Sequence, residues 1–337
     1  MTRSSMTWKT DEPFLLKPAY KDYLWGGEKL KTEYHKETDL SPLAESWECS
    51  THPDGTSLAL IDQNEIPLTE VLKRHPEILG THPRTRDTLP ILIKLIDAKK
   101  DLSVQVHPDD DYARIQEHGS LGKSEFWYVL EAEPGASLVY GFSQDVTEEQ
   151  IRQGIADGTI RKYLQKVPVK RNDVFFVQAG TVHAIGKGIV IAEIQESSNL
   201  TYRLYDYNRV GNDGKKRPLK LDKALKVMDF SPQNEASCLP TTPRIDGVVN
   251  LKQTKYFTTN LLSPSRPIQR DYAPLDSFVA YMCVEGQCTV TALDCEDPEN
   301  KTASLRLGEA VLIPAVLNDI LISPQGHCKL LEVYVEL

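Results

Sequence analysis

Residues 102–130 read LSVQVHPDDDYARIQEHGSLGKSEFWYVL, with two runs of β pattern on either side of a polar, turn-rich segment. Side chains of a strand alternate between its faces, so Gln105 and His107 share one face of the first run. Pro108 ends that strand because proline has no N–H for a β ladder. Glu125 begins the second run. An amide, an imidazole and a carboxylate in this arrangement form an oxygen/nitrogen metal site that still lacks a second imidazole.

His183 offers that second imidazole. It follows Gly180 at the end of another hydrophobic run, residues 174–177. A single histidine on a strand is most often a hydrogen-bonded structural residue, and a Gln–x–His pair alone is a weak signal. With Glu125 added, the set has the donor types that zinc sites use. Two interpretations are therefore open: a divalent-metal site, or histidines with a structural role.

The composition is typical of a soluble protein of 337 residues, which is enough for two domains with a sizeable core. Hydrophobic residues make up 40% of the chain and charged residues 26%. The formal net charge of −9 argues against nucleic acid and anionic membrane surfaces as partners. An anionic substrate then needs a local basic pocket. No apolar run reaches membrane-spanning length, and the N-terminal MTRSSMTWKTDEPF lacks the apolar core of a signal peptide.

The six cysteines are scattered and form no CxxC motif. A chain of this length needs no disulfide framework, so we expect free thiols in a reducing cytoplasm. Several cysteines fall in the C-terminal part, which leaves one structural disulfide there open. The six are Cys49, Cys238, Cys283, Cys288, Cys295 and Cys328.

Short β runs separated by turn residues dominate the chain, and helical spacing is confined to a few segments. Alternating residues at 44–50 and 57–61, with a turn between them, predict a β-hairpin. Helices are predicted at 68–79, 147–166 and 219–229. Thr147 is the expected N-cap of the second helix, and acidic residues follow it in the first turn.

The continuous apolar run at 89–98 predicts a buried strand. Lys94 within this run is unusual, because a buried lysine needs a partner. Two interpretations are open. Lys94 either extends along a sheet edge to solvent, or it points a positive charge into the cavity beside His107.

A faint internal repeat links the two halves of the chain. Two pairs of segments run parallel: RNDVFFVQA at 171–179 with LGEAVLIPA at 307–315, and YVLE at 128–131 with MCVE at 282–285. In this register Val279 stands opposite Glu125 and Asp319 opposite His183, so the second copy keeps the strands and loses the ligands. Many short strands of this kind predict barrels or sandwiches. The proline-rich segment 231–242 predicts a linker, which gives domains at 1–235 and 236–337.

Four motifs occur in the order of a known enzyme family: QVHPDD at 105–110, GKSEFWYVL at 122–130, AGTVHAIGKG at 179–188 and EIQESSNLTYRLYDYNR at 193–209. With them the chain resembles the type I phosphomannose isomerases, the zinc-dependent mannose-6-phosphate isomerases, in their shorter bacterial branch. Lys17-Pro18 and Trp25-Gly26-Gly27 fit the opening motif of that family. The resemblance covers the whole chain and is strongest from 91 to 209.

The resemblance implies a mainly β fold of two cupin-like (jelly-roll) β-barrels with helical insertions in the N-terminal half. Only the first barrel would hold metal. It implies a cytoplasmic enzyme of carbohydrate metabolism, a monomer or weak homo-oligomer, with a small sugar phosphate as its partner. The implied reaction interconverts D-mannose 6-phosphate and D-fructose 6-phosphate, an aldose–ketose isomerisation through an enediol(ate).

For the metal, the resemblance implies one Zn²⁺ per chain, held by Gln105, His107, Glu125 and His183. Gln105 ranks below the other three, because an amide oxygen is a weaker ligand than imidazole or carboxylate. Such a site leaves a position for water or a substrate oxygen. Zinc has no redox role, so it would polarise the sugar carbonyl as a Lewis acid.

The resemblance also implies roles for cationic and aromatic residues. Arg203 matches the active-site arginine of the family, with an electrostatic role on the enediolate. The alternative is a surface guanidinium paired with Asp206. Trp25 belongs to a segment that lies near the substrate pocket in the family. Lys123, together with Lys94, is the expected group for the substrate phosphate.

The general base is not determined by the sequence. It must be poised near neutral pH, and the candidates are Glu193, Asp206, Lys123 and a zinc-bound hydroxide. Two other functions also remain open. One is a non-catalytic sugar-binding or regulatory double barrel that keeps the metal, and the other is an iron-dependent cupin dioxygenase.

Overall fold

The computed structural model describes residues 11–82, 88–211, 213–233, 239–240, 244–295 and 301–336. These residues are mainly β, as predicted. The strands, in chain order, are β1 (Phe14–Lys17), β2 (Ala19–Lys21), β3 (Glu45–Cys49), β4 (Leu58–Ile61), β5 (Asn64–Pro67), β6 (Ile91–Ala98), β7 (Val104–Val106), β8 (Glu125–Ala132), β9 (Ser137–Phe142), β10 (Leu164–Pro168), β11 (Asp173–Val177), β12 (His183–Ala184), β13 (Ile189–Glu196), β14 (Tyr202–Tyr205), β15 (Leu239–Pro240), β16 (Val248–Gln253), β17 (Thr258–Leu262), β18 (Ile268–Asp271), β19 (Val279–Glu285), β20 (Gln287–Ala292), β21 (Thr302–Arg306), β22 (Ala310–Ile313), β23 (Asp319–Pro324) and β24 (Lys329–Tyr334).

The helices are short and lie mainly in the N-terminal two thirds of the chain. The α-helices are α1 (Lys29–Thr32), α2 (Leu68–Arg74), α3 (Asp110–Gln116), α4 (Glu148–Ala156) and α5 (Leu221–Val227), with 3₁₀ helices at Pro76–Leu79 and Ile160–Lys162. All three predicted helices are present but shorter than expected. The predicted helix at 147–166 ends at Ala156, because the chain after the 3₁₀ turn forms β10 instead.

The chain divides into two compact units. The first, here called the site unit, comprises the described parts of Tyr20–Ser46 and Leu92–Thr241. The second, the terminal unit, comprises the described parts of Met1–Ala19, Trp47–Ile91 and Thr242–Leu337. Two N-terminal segments thus group with the C-terminal strands, whereas the sequence interpretation placed them in the domain at 1–235. The boundary predicted from sequence lets the chain pass between domains once, near the linker. The units of the structure also change after Ala19, Ser46 and Ile91, and local sequence carries no signal for these changes.

The site unit is built on two sheets with a hydrophobic core between them. The seven-stranded sheet has the order β15-β11-β8-β13-β6-β3-β2, and the five-stranded sheet has the order β10-β9-β12-β7-β14. Trp127 and Val129 of β8 share one core cluster with Leu138 and Tyr140 of β9. Most residues of β8 and all residues of β13 are buried on both faces of the strand, which explains why these strands are so rich in apolar residues.

The terminal unit repeats this plan with an eight-stranded sheet, β16-β17-β24-β19-β22-β1-β4-β5, and a four-stranded sheet, β18-β23-β20-β21. Its core joins Tyr281 of β19 to Val290 of β20. The N-terminal strand β1 is paired on both sides, with Leu15 opposite Val311 and with Leu16 opposite Ala59. Closure of either unit into a barrel stays a prediction.

The predicted hairpin of residues 44–61 is wrong. β3 lies in the seven-stranded sheet, whereas β4 pairs with β1 and β5. Both segments have strand pattern, and the turn between them has hairpin composition. The passage from the site unit to the terminal unit falls within β3, after Ser46, and β4 follows inside the terminal unit, so the two strands belong to different sheets.

The internal repeat is confirmed by the strand registers. In β11 and β8, Val174 to Val177 stand opposite Tyr128 to Glu125. In β22 and β19, Ala310 to Ile313 stand opposite Met282 to Val279. These four pairs correspond one for one under the two alignments made from sequence, so Val279 occupies the place of Glu125.

The five described cysteines are free, as expected: Cys49, Cys283, Cys288, Cys295 and Cys328. Cys238 lies outside the described residues. No helix among the described residues has the length and apolar composition needed to cross a membrane.

Candidate metal centre

Three buried side chains converge in the site unit. His107 directly follows β7, Glu125 opens β8 and His183 opens β12. One ligand atom of each lies within 4.8 Å of the others, and each residue is only 1% exposed. The two histidines are brought together because β12 pairs with β7, with His183 opposite Gln105. The structure therefore assembles the group of ligands predicted from sequence.

Both imidazoles are oriented by backbone carbonyls. Nδ1 of His107 lies 2.7 Å from the Leu200 oxygen, and Nδ1 of His183 lies 2.8 Å from the Thr181 oxygen. A carbonyl only accepts, so each Nδ1 carries the proton and each Nε2 has a lone pair for a metal. Nε2 of His107 lies 3.0 Å from Oε1 of Glu125, and Nε2 of His183 lies 3.6 Å from Oε2. Two imidazoles and a carboxylate are a donor set that fits zinc.

The electrostatics keep this set in its ligand form. Burial, with Lys123 nearby, lowers the pKa of His107 to about 3, and burial also lowers the pKa of His183. Burial on its own would raise the pKa of Glu125. The ammonium of Lys123 and the imidazole of His107 outweigh it and hold that pKa well below its usual range. Neutral imidazoles and an ionised carboxylate are the protonation states that metal binding requires.

Gln105 and Lys123 border the three ligands. Nε2 of Gln105 lies 3.4 Å from Nε2 of His183, so rotation of the amide would present its oxygen to the same centre. Nζ of Lys123 lies 2.7 Å from Oε1 of Glu125 and 3.3 Å from Nε2 of His107. Lys123 is 4% exposed, so its charge belongs to the interior of the site.

A chain of buried ionic groups extends from Glu125. The indole N–H of Trp127 donates to Oε2 of Glu125 at 3.0 Å and to Oε1 of Glu193 at 2.9 Å. Nζ of Lys94 lies 3.1 Å from Oε2 of Glu193 and 3.6 Å from Oε2 of Glu45. Lys94 is 3% exposed, so the interpretation that it extends to solvent is wrong, and it contributes its charge to the cavity.

The charged groups of this buried row shift one another's pKa values. Burial opposes the charged form of Lys94, but Glu193 and Glu45 raise its pKa above the ordinary value. Burial, followed by the negative charge of Glu125, raises the pKa of Glu193 to about 7. A carboxyl group with this pKa exchanges protons near neutral pH, as a general base must.

Glu125 and Gln105 line a cavity of about 370 Å³. Trp25 and Tyr23 form part of its wall, with ring centroids 5.7 Å apart. Cationic side chains line much of the rest: Lys94, Lys123, Arg203, Arg217 and Lys220. This is the local basic pocket that an acidic protein needs for an anionic substrate.

Arg203 lies at the cavity with both ends of its guanidinium anchored. Nε donates to Oγ of Ser103 at 3.2 Å, and Nη1 donates to the carbonyl oxygen of Pro218 at 3.1 Å. Asp206 accepts hydrogen bonds from Arg209 and Arg217 instead. The alternative of a surface ion pair between Arg203 and Asp206 is therefore wrong. Burial raises the pKa of Asp206, but Arg217 and Arg209 outweigh it and lower that pKa, which does not suit a base.

Sequence reasoning missed several residues of the cavity. Trp127 lies two positions after Glu125 on one face of a strand, so alternation carried a signal for it. Arg217 and Lys220 reach the cavity through a loop that folds back on itself, and no local pattern indicates such a return. Glu45 was assigned only to a strand.

The fold and the site together define a class: a mainly β protein with a buried candidate metal centre beside a cavity rich in cationic side chains. Comparison with known proteins identifies the family. The family model for the type I phosphomannose isomerase catalytic domain matches residues 14–132. The mannose-6-phosphate isomerase of Streptococcus mutans is 34% identical over 306 residues, which are 90% of this chain and 92% of that protein.

Solved structures agree. The crystal structure of the mannose 6-phosphate isomerase from Bacillus subtilis superposes with a TM-score of 0.85 at 30% identity, covering 96% of this chain and all (100%) of that one. A zinc-bound mannose 6-phosphate isomerase shares the fold at a TM-score of 0.76 and 16% identity, over 97% of this chain and 100% of the other. The chain belongs to the type I phosphomannose isomerases.

Proposed function

We propose that the chain interconverts D-mannose 6-phosphate and D-fructose 6-phosphate beside His107, Glu125 and His183. The observation that carries this proposal is the combination of a buried ligand set with a cavity lined by cationic side chains. The first suits a carbonyl isomerisation and the second suits a phosphorylated sugar. The names of the relatives support the same substrate.

The residues fit one zinc ion per chain, and the zinc-bound relative supports that metal. His107, Glu125 and His183 would hold it, and Gln105 stands where its amide oxygen can join them. When bound, zinc supplies a Lewis acid that polarises the sugar carbonyl. All three of these side chains are buried.

Isomerisation moves one proton from C2 to C1 of the sugar and another from O2 to O1. We assign the carbon proton to Glu193, because this carboxylate lines the cavity and does not belong to the ligand set. Its second oxygen lies beside Lys94, which supports the carboxylate form. Lys123, also in the cavity, can exchange the oxygen-bound proton. Arg203 faces the oxygens that gain charge as the enediolate forms, and it stays protonated throughout.

The phosphate end of the substrate has two candidate places. Lys123 and Lys94, the residues expected from sequence, are already paired with Glu125 and Glu193. Arg217 and Lys220 also line the cavity, and Arg217 keeps Nη1 beyond its two-point contact with Asp206. We therefore assign the phosphate to Arg217 and Lys220, and we assign Trp25 to the cavity wall beside the sugar. Lys123 stays a second candidate.

A coupled assay tests the proposal directly, by following fructose 6-phosphate formed from mannose 6-phosphate. Activity should be lost with a chelator and return with zinc. Oxygen uptake with iron-loaded protein would support the dioxygenase alternative instead. Tight sugar-phosphate binding without turnover would support the non-catalytic alternative. The cytoplasmic location and the oligomeric state expected from sequence stay predictions.

A further inference from the structure

The segment between β14 and α5 folds back so that its C-terminal end lies at the cavity, close to β14. Within it, Val210 and Lys216 form a β-bridge, and the chain reverses between them. The N–H of Lys220 donates to the carbonyl oxygen of Arg203 at 2.9 Å, which joins the end of the loop to β14. The returning strand of the loop places Arg217 in the cavity wall.

Asp206 lies at the base of this loop and holds both of its arms. It is 5% exposed. Nε of Arg217 donates to Oδ2 at 2.8 Å and Nη2 donates to Oδ1 at 2.6 Å, a two-point contact between planar groups. Nε of Arg209 donates to Oδ1 at 3.2 Å, and this second guanidinium also bonds the carbonyl oxygen of Asp101. One carboxylate therefore fixes two arginines three and eleven positions further along the chain.

The local charge explains why an anchor is needed. Burial lowers the pKa of Arg203, and the positive charge of Arg217 lowers it further. Guanidinium groups this close repel each other, and a loop without Asp206 would let them separate. With Nε and Nη2 of Arg217 bound to Asp206, Nη1 remains, and no bond of this atom is found within the described chain.

We propose that Asp206 is a positioning residue for the substrate phosphate. It clamps Arg217 so that the remaining edge of its guanidinium faces the cavity, where it holds a phosphate monoester dianion. The inference rests on the proposed function only in that the substrate carries a phosphate. Asp206 itself touches neither the substrate nor the metal site.

The test uses zinc-loaded full-length protein, the variant Asp206→Asn and the control Asp213→Asn. Asp213 lies on the same loop, is exposed and accepts the N–H of Lys215. Inorganic phosphate is titrated by calorimetry, and KM and kcat for mannose 6-phosphate are measured. In Asp206→Asn we expect phosphate affinity to fall about ten-fold and KM to rise to match, with kcat changed less than about two-fold. Asp213→Asn should behave as wild type.

A charge-only role predicts the opposite sign. If Asp206 merely dilutes the positive charge, Asp206→Asn will bind phosphate as tightly as wild type or more tightly, and the clamp is refuted. Arg217→Gln provides the second variant, which does not depend on the folding of Asp206→Asn. It should lose phosphate affinity to a similar extent. The double variant should lose little more, because both single changes disrupt the same Asp206–Arg217 contact. Additive losses would contradict the clamp.

The phosphate titration separates this inference from the proposed function. If wild type binds phosphate and does not isomerise mannose 6-phosphate, the proposed function fails while the titration still tests the clamp. If wild type is active and Asp206→Asn keeps its phosphate affinity, only the clamp fails.

Discussion

A single indole organises the acidic part of the site. The N–H of Trp127 is shared between Glu125 and Glu193, which keeps two buried carboxylates at a fixed separation. Its ring also packs edge-on against His183, with centroids 5.5 Å apart. Trp127 therefore contacts a metal ligand, a second ligand and the assigned base at once. In a low-dielectric interior, a donor with two charged acceptors contributes more than an ordinary hydrogen bond.

Trp127→Phe tests this role. The change keeps most of the ring packing and removes the N–H, so both carboxylates lose a donor. A hydrogen bond to a charged group is worth about 1.5–3 kcal/mol, so we expect kcat to fall about 10- to 100-fold. KM for mannose 6-phosphate should change little. Tyr128→Phe is the matched control, since it removes a hydroxyl on the same strand that bonds Asn172, away from the cavity. An equal loss of kcat in both variants would show a general effect on β8.

Arg203→Ala tests the electrostatic role of the guanidinium. Loss of one donor to the developing negative charge typically costs about 10²–10³-fold in rate, and we expect kcat to fall on that scale. The zinc content and the fold should persist. Arg203→Lys should recover little, because an ammonium cannot donate to Ser103, Pro218 and the substrate in the planar arrangement of Arg203. Near-full kcat in Arg203→Ala would leave this residue with a purely structural role at the loop.

At the level of single residues, sequence found the ligands and missed much of the surrounding wall. Gln105, His107 and Glu125 lie in one continuous stretch, and strand alternation places them. His183 was also offered by sequence pattern, but its approach to the other ligands depends on the pairing of the two-residue strand β12 with β7, which local pattern does not indicate. The contact of Arg217 with the cavity depends on a loop closed by Asp206, and such a closure depends on tertiary contacts rather than on local pattern.

Among the elements, the N-terminus of α4 is a case in which local sequence predicts the structure correctly. Thr147 was the expected N-cap, and its Oγ1 accepts the N–H of Gln150 at 3.2 Å. The side chain of Gln150 in turn accepts the N–H of Thr147 at 2.8 Å, which completes a capping box. Strand partners are the opposite case. β3 and β4 have clear strand pattern, yet their partners are decided by the crossing between units.

Thr147→Ala should therefore affect stability and not catalysis. Loss of an N-cap typically costs about 0.5–2 kcal/mol, and we expect the free energy of unfolding in a denaturant titration to fall by about that amount. The values of kcat and KM should match wild type, since the helix contributes no residue to the cavity. Thr147→Ser, which keeps the hydroxyl, should retain most of the stability. A loss of activity in Thr147→Ala at full folding would indicate that α4 takes part in substrate binding.

Across the whole molecule, the repeat keeps one carboxylate and changes its surroundings. β24 pairs with β19 as β13 pairs with β8, so Glu332 stands opposite Tyr281 just as Glu193 stands opposite Trp127. Glu332 is fully buried. The guanidinium of Arg270 donates to its two oxygens at 2.8 and 3.0 Å, in a two-point contact. Each carboxylate thus has a protein cation, Arg270 for Glu332 and Lys94 for Glu193, but only Glu193 shares a donor with a candidate metal ligand, through Trp127.

The loss of the metal ligands in the second copy of the repeat predicts one metal ion per chain. The only cluster of potential metal-binding side chains among the described residues is His107, Glu125 and His183, and Val279 occupies the place of Glu125 in the repeat. Elemental analysis of dialysed protein should find about one zinc per wild-type chain and almost none in the double variant His107→Ala/His183→Ala. Glu332→Gln is the control. It should lower stability, because it weakens the buried contact with Arg270, and it should keep the zinc. Two zinc ions per chain, or full occupancy in the double variant, would place metal outside the site unit and contradict the assignment.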